Sequence, residues 1–218
     1  SKNNVLKRWL GNFPNSVKTN VHNILSIDSE DPKVDLDVNE YFKFCRNYYI
    51  VQSDYEKYQN SVNKLFGKFN FKISYSDIFD YELDPNVRYD LIIFYTNFNL
   101  DDDITSFCNQ AFNFLNEKGQ ILIITCSNEK FVLEARDYFK LNFYSDKEFR
   151  EKLTINCKFF NTHISTFVNI NKLNKNEMLK LTNQELSHEK IEEFKNYALE
   201  KYGDYASVPI SVIILKNF

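Results

Sequence analysis

The chain predicts an open, doubly wound α/β sheet of seven mostly parallel strands with helices on both faces. Three observations point there. Strand-like and helix-like segments alternate along most of the chain. The run Asp90-Leu-Ile-Ile-Phe-Tyr95 is apolar after its first residue, as suits a strand buried on both faces of a parallel sheet. The apolar segment Asn23 to Ile27 passes through a short loop straight into a helix.

Each element has its own local signal. A short helix is expected over Val5 to Phe13, ended by Asn-Phe-Pro-Asn. Asn23 to Ile27 is the first strand, and Val34 to Cys45 a helix with Leu36, Phe42 and Cys45 among its apolar positions. Asn47 to Val51 is the second strand. Asp54 caps a helix through Leu65, with Tyr55, Tyr58, Val62 and Leu65 on one stripe and Gly67 at its end. Phe69 to Tyr75 alternates as a third strand; Ser76 to Arg88 is a loop with a helical turn; Asp90 to Tyr95 is the fourth strand.

Asp101 to Asp103 place negative charge at a helix start, and Ile104, Phe107, Cys108, Ala111, Phe112 and Leu115 form its apolar stripe. Gly119 turns the chain into a fifth strand, Gln120 to Cys126. Helices over Asn128 to Phe139 and Ser145 to Leu153 follow, then a strand region over Cys157 to Val168 and a helical turn at Lys175 to Leu181. Ser187 opens a helix carrying Ile191, Phe194, Ala198 and Tyr202, which Gly203 ends; Val208 to Leu215 is the last strand.

The bulk numbers narrow the function classes. A chain of 218 residues can build one good core. The reading is a single domain over 1–218, with residues 1–22 as an N-terminal helical cover on an α/β core at 23–218. Net charge is −3 with lysines scattered among acids, so nucleic acid is not expected as a partner. No run approaches the roughly 18 apolar residues of a membrane span, so no membrane partner is expected either. Cys45, Cys108, Cys126 and Cys157 form no CxxC pair, and His22, His163 and His188 lack metal-site spacing, so no metal is expected. With no signal peptide in view, a reduced, cytoplasmic chain is the expectation. Each cysteine reads as a small buried hydrophobe, with Cys126 best placed to face a cleft.

In open α/β sheets, ligands sit beyond the carboxyl ends of the strands at the topological switch point. The site candidates therefore follow Ile27, Val51 and Tyr95. In nucleotide-binding α/β proteins the first such loop is rich in glycine, because a cofactor must approach backbone where a Cβ would intrude. Here Asp28-Ser-Glu-Asp-Pro32 contains none, and the whole chain has only four glycines.

Ile24-Leu-Ser-Ile27 with Val34-Asp-Leu36, Tyr89-Asp-Leu-Ile92, Gly119-Gln-Ile-Leu-Ile-Ile124 and Ile210-Ser-Val-Ile-Ile214 together resemble class I S-adenosylmethionine-dependent methyltransferases. The nearest likeness is to histamine N-methyltransferase and its small-molecule relatives, over most of residues 20–218. The resemblance implies a Rossmann-like methyltransferase fold and identifies the cofactor positions. The family's glycines fall on Asp28, Ser29, Glu30 and Pro32. Its ribose-binding acid falls on Gln52, beside Ser53, with Asp54 either a substitute or a helix cap. Ser76 and Asp77 fall where the adenine amine is contacted, Asp77 being either an acceptor or an Asx turn. Phe94, Tyr95 and Thr96 fall at the methyl-transfer position, and Tyr49 and Phe79 are placed to pack into a vacated cavity. The family's substrate-side Asn pair falls on Val208 and Pro209, which carry no side-chain amide.

Two cofactor anchors thus depart from the pattern while the apolar frame persists. The expectation is a degenerate, non-catalytic homologue acting as a binding or scaffold module, with no catalytic residue and no bound cofactor. Its vestigial or altered cofactor positions are Asp28, Ser29, Glu30, Gln52, Ser53, Ser76, Asp77, Tyr95 and Thr96. The alternative is an active methyltransferase of a small amine or similar substrate, using S-adenosylmethionine. A protein or a small molecule is the expected partner.

Overall fold

A computed structural model describes residues 6, 8, 10, 18–68, 70–95, 102–182 and 184–218. The chain runs β1 (Asn23–Ile27), α1 (Pro32–Tyr41), β2 (Asn47–Gln52), α2 (Tyr55–Leu65), β3 (Phe71–Tyr75), β4 (Tyr89–Phe94), α3 (Ile104–Asn113) and β5 (Leu115–Cys126). It continues α4 (Lys130–Phe139), α5 (Asp146–Lys152), β6 (Lys158–Ile164), β7 (Phe167–Asn169), α6 (Lys175–Thr182), α7 (His188–Tyr202), β8 (Tyr205–Ser207) and β9 (Ile210–Lys216).

Seven strands form one sheet in the order β3-β2-β1-β4-β5-β9-β6. Strands β1 to β5 pair in parallel and β9 inserts antiparallel between β5 and β6, so the sheet is mostly parallel, as the sequence predicts. Side chains alternate across it. Leu25, Ile27, Ile92 and Phe94 pack with Phe107 and Ala111 of α3 and Phe149 of α5 on one face. Ile24, Ile50, Leu91 and Ile93 pack with Val34 and Val38 of α1 and Leu65 of α2 on the other. Leu6 and Leu10 join this second core.

A third cluster lies outside the sheet. The β6–β9 connection carries α6, α7 and the small antiparallel β7–β8 pair, and packs Ile191, Phe194 and Ala198 of α7 on Phe131, Ala135 and Phe139 of α4. Because Ile210 of β9 pairs with Cys126 at the end of β5, this connection begins and ends at the carboxyl rim of the parallel strands.

Several boundaries differ from the sequence reading. Helix α1 ends at Tyr41, where the non-helical Phe42 caps it, leaving Cys45 outside. Segment 76–88 holds turns and no helix. Strand β5 begins at Leu115, because Leu115 already pairs with Tyr89; Gly119 therefore lies inside the strand, at a register shift. A Cβ there would stand 2.8 Å from the Tyr89 carbonyl, so only glycine fits without movement. The region 157–168 splits between two sheets, and β8 carried no periodic signal. The expected strand start at Phe69 and helix-leading Asp101 lie outside the described residues.

Candidate functional site

Backbone hydrogen bonds lace the carboxyl ends of four adjacent strands into one rim. Tyr95 N donates to Ile27 O at 3.1 Å, Asp28 N to Val51 O at 2.9 Å, and Ser76 N to Gln52 O at 2.9 Å. The sequence candidates Asp28, Ser29, Glu30, Gln52, Ser53, Ser76, Asp77 and Tyr95 therefore share this edge; Thr96 lies outside the described residues.

The loop after β1 is held by its own side chains. Asp28 adopts φ +56°, the left-handed region that glycine favours and that Asp tolerates better than most. Its Oδ1 accepts both the N–H and the hydroxyl of Ser53, each at 2.8 Å. Burial raises the Asp28 carboxyl above its ordinary range, against the lowering effect of those Ser53 bonds. Asp31 caps α1 by accepting from Lys33 N at 2.8 Å, and Pro32 takes the first helical position, where its missing N–H costs nothing.

Below the loop lies a polar network that the sequence reading did not find. Asp35 of α1 is fully buried and accepts hydroxyl bonds from Ser26 at 2.6 Å, Ser29 at 2.5 Å and Tyr48 at 2.7 Å. Burial pushes its carboxyl up to about 6, the three hydroxyls opposing. The available signal was helical spacing: Asp35 shares a stripe with Val38 and Phe42, which are buried.

Gln52 joins the same network. It is 1 % exposed, and its Nε2 donates to the carbonyl and the hydroxyl oxygens of Ser29 at 2.9 and 3.0 Å. Among the described residues its Oε1 has no hydrogen-bond partner. The carboxamide is thus turned into the loop and away from solvent.

The remaining candidates are engaged locally. Asp54 caps α2, accepting from Lys57 N at 2.9 Å. Asp77 accepts from Phe79 N at 2.9 Å, an Asx turn, and Ser76 donates to the Asp77 carbonyl at 2.9 Å. Tyr95 is buried in the α1-side core, and burial and the nearby Asp35 raise its phenol well above the ordinary value. Phe79 stacks edge-on against Phe107, which stacks edge-on against Phe94. Tyr49 packs edge-on against Tyr89 under Lys72. Beneath Ile78 and Tyr81, a cavity of about 10 Å³ lined by Leu25, Ile27, Ile92 and Phe107 has room for about one water.

None of the four cysteines is in a disulfide, and burial pushes the Cys45 and Cys108 thiols up to about 12, far from thiolate. Among the described residues no group of three or more His, Cys, Asp or Glu could hold a metal ion. None of the described helices is long and apolar enough to cross a membrane.

Comparison with known proteins locates the fold. No family model matches the chain, and no curated protein matches its sequence. Solved structures do match. The YcgJ protein of Bacillus subtilis superposes with a TM-score of 0.69 at 13 % identity, over 97 % of this chain and 99 % of its own. The N-methyltransferase NodS of Bradyrhizobium japonicum gives 0.60 at 9 % identity, over 100 % and 95 %. Geranyl diphosphate C-methyltransferase of Streptomyces coelicolor, solved with Mg2+, geranyl diphosphate and S-adenosyl-L-homocysteine, gives 0.59 at 12 % identity, over 100 % and 77 %. The chain has the fold of class I S-adenosylmethionine-dependent methyltransferases.

Proposed function

We propose that this chain is a methyltransferase-fold protein that has given up its cofactor and works as a binding or scaffold module, a degenerate relative of small-molecule N-methyltransferases. The observation that carries this reading is the Gln52–Ser29 contact. The residue matching the family's ribose anchor is buried and spends its donors on the loop beneath which a cofactor would need open backbone.

The residues do not fit S-adenosylmethionine. Side chains stand at every position of Asp28 to Pro32. The Asp28 carboxylate bridges the first and second loops at Ser53. Asp77, matched to the adenine contact, already accepts from its own turn. We read residues 1–218 as one domain, acting in the cytoplasm on a protein or a small molecule and not on nucleic acid or a membrane.

Active methylation of a small amine is the second reading. It is favoured by superposition along nearly the whole chain on methyltransferases solved with S-adenosyl-L-homocysteine. Thermal denaturation with and without about 1 mM S-adenosylmethionine or S-adenosylhomocysteine separates the two. A ligand present at 100 times its Kd would add about 2.7 kcal/mol of stability. The first reading expects an unchanged midpoint; a rise of several degrees supports the second.

A further inference from the structure

Among the described residues, strand β6 is the outermost strand on one side of the sheet and pairs only with β9. Its residues, Lys158-Phe-Phe-Asn-Thr-His-Ile164, include no proline and no glycine, and its register with β9 runs without a bulge. Proline and a bulge are two usual means of blunting an edge; a third, a charged side chain, is present once, at Lys158. Among the described residues, no backbone group bonds to its outward row of N–H and C=O groups.

The strand is held firmly from behind. Asp146, at the first position of α5, is buried and accepts at Oδ2 from His163 Nε2 at 2.7 Å, Ser211 Oγ at 2.9 Å and Asn161 Nδ2 at 3.1 Å. Burial alone would raise its carboxyl, but those bonds outweigh it and hold Asp146 below its ordinary value. Arg150 lies over Phe159 and Lys216 over Phe160. An edge already ordered loses little further entropy on pairing.

We propose that β6 pairs antiparallel with β6 of a second copy of this chain, about a two-fold axis through Asn161, joining two sheets into one. In two-fold antiparallel pairing, facing residues point the same way, and centring on Asn161 is the register that engages the whole strand. It sets Phe160 against the partner's Thr162, Phe159 against the partner's His163, and Lys158 against the partner's Ile164. Charge leaves self-pairing unopposed. Lys158 is the one Lys, Arg, Asp or Glu in β6, and this register keeps it away from its own copy. Phe160, 49 % exposed, gains a β-branched neighbour on the open face of the sheet. The pairing is independent of whether the chain binds S-adenosylmethionine.

Sedimentation of the full chain from about 1 to 300 µM tests it, since dimerisation depends on concentration. Wild type is expected to rise from 26.0 kDa toward twice that mass. Phe160→Lys with Thr162→Lys sets lysine against lysine twice, and is expected to weaken the dimer at least about tenfold. Phe160→Lys with Thr162→Glu sets opposite charges together at the same exposed positions and is expected to restore it. A wild type that stays monomeric throughout overturns the proposal, as does a dimer that the double-lysine chain leaves intact. If the double-lysine chain does not fold, a lysine–glutamate chain that folds but stays monomeric overturns it too.

Discussion

Gln52 Nε2 donates to the Ser29 carbonyl at 2.9 Å and to its hydroxyl at 3.0 Å, joining residues 23 apart in sequence. The end of β2 is thereby stapled to the loop that follows β1. Ser29 passes the connection on to Asp35, and Asp35 to Ser26 and Tyr48. A loop without glycine keeps its shape because buried side chains hold it from below.

Replacing the staple with an acid, the residue type that the resemblance places there, is expected to harm the protein. Gln52→Glu removes both donors and faces a buried carboxylate with the Ser29 carbonyl, near Asp28 and Asp35. The expected loss is about 2–4 kcal/mol in urea unfolding, with no gain of affinity for S-adenosylhomocysteine. An unchanged midpoint would show that the staple contributes nothing to the fold.

Asp35 gives the network a pH signature. Its folded carboxyl is raised from 3.8 to about 6 by burial. Its contribution is therefore fully present below pH 3.8 and is lost as pH rises through about 6. By linkage the change is about 3 kcal/mol. Unfolding free energies measured from pH 4 to pH 7 should fall more steeply with pH for wild type than for Asp35→Asn. Parallel curves would mean that Asp35 does not titrate in this window.

Two backbone sites should respond in opposite directions. Gly119→Ala drives a Cβ to 2.8 Å from the Tyr89 carbonyl and is expected to cost about 2 kcal/mol or more. Lys140 closes α4 at φ +53°, so Lys140→Gly is expected to stabilise by about 1 kcal/mol. Thermal or urea melts of the two variants decide both signs.

How much of this was legible depended on where the determining contacts lie. Asn23–Ile27 and the helix capped by Asp54 were readable because periodicity, capping residue and Gly67 sit within a few positions of one another. The overrun of α1 to Cys45 followed the helical spacing, which does not record that Phe42 leaves the helical conformation. The early start of β5 at Leu115 depends on pairing with Tyr89, a long-range contact that no local pattern encodes. At the site, Asp28, Ser29 and Gln52 were readable as departures from a family pattern. Their engagement was not, because it joins residues more than twenty apart, Gln52 to Ser29 and Asp28 to Ser53, and its buried anchor Asp35 read only as one residue of the matching Val34-Asp-Leu36 run. The cluster of Asp146, Asn161, His163 and Ser211 escaped for the same reason: three separate elements bring it together.

If these side chains have replaced a cofactor site, calorimetric titration of S-adenosylhomocysteine into the wild-type chain will find no site for it. The expected result is no saturable heat up to about 1 mM ligand, corresponding to binding weaker than about −4 kcal/mol. A one-to-one isotherm with a micromolar Kd would contradict it, and would mean that Gln52, Asp28 and the loop rearrange to admit the ligand.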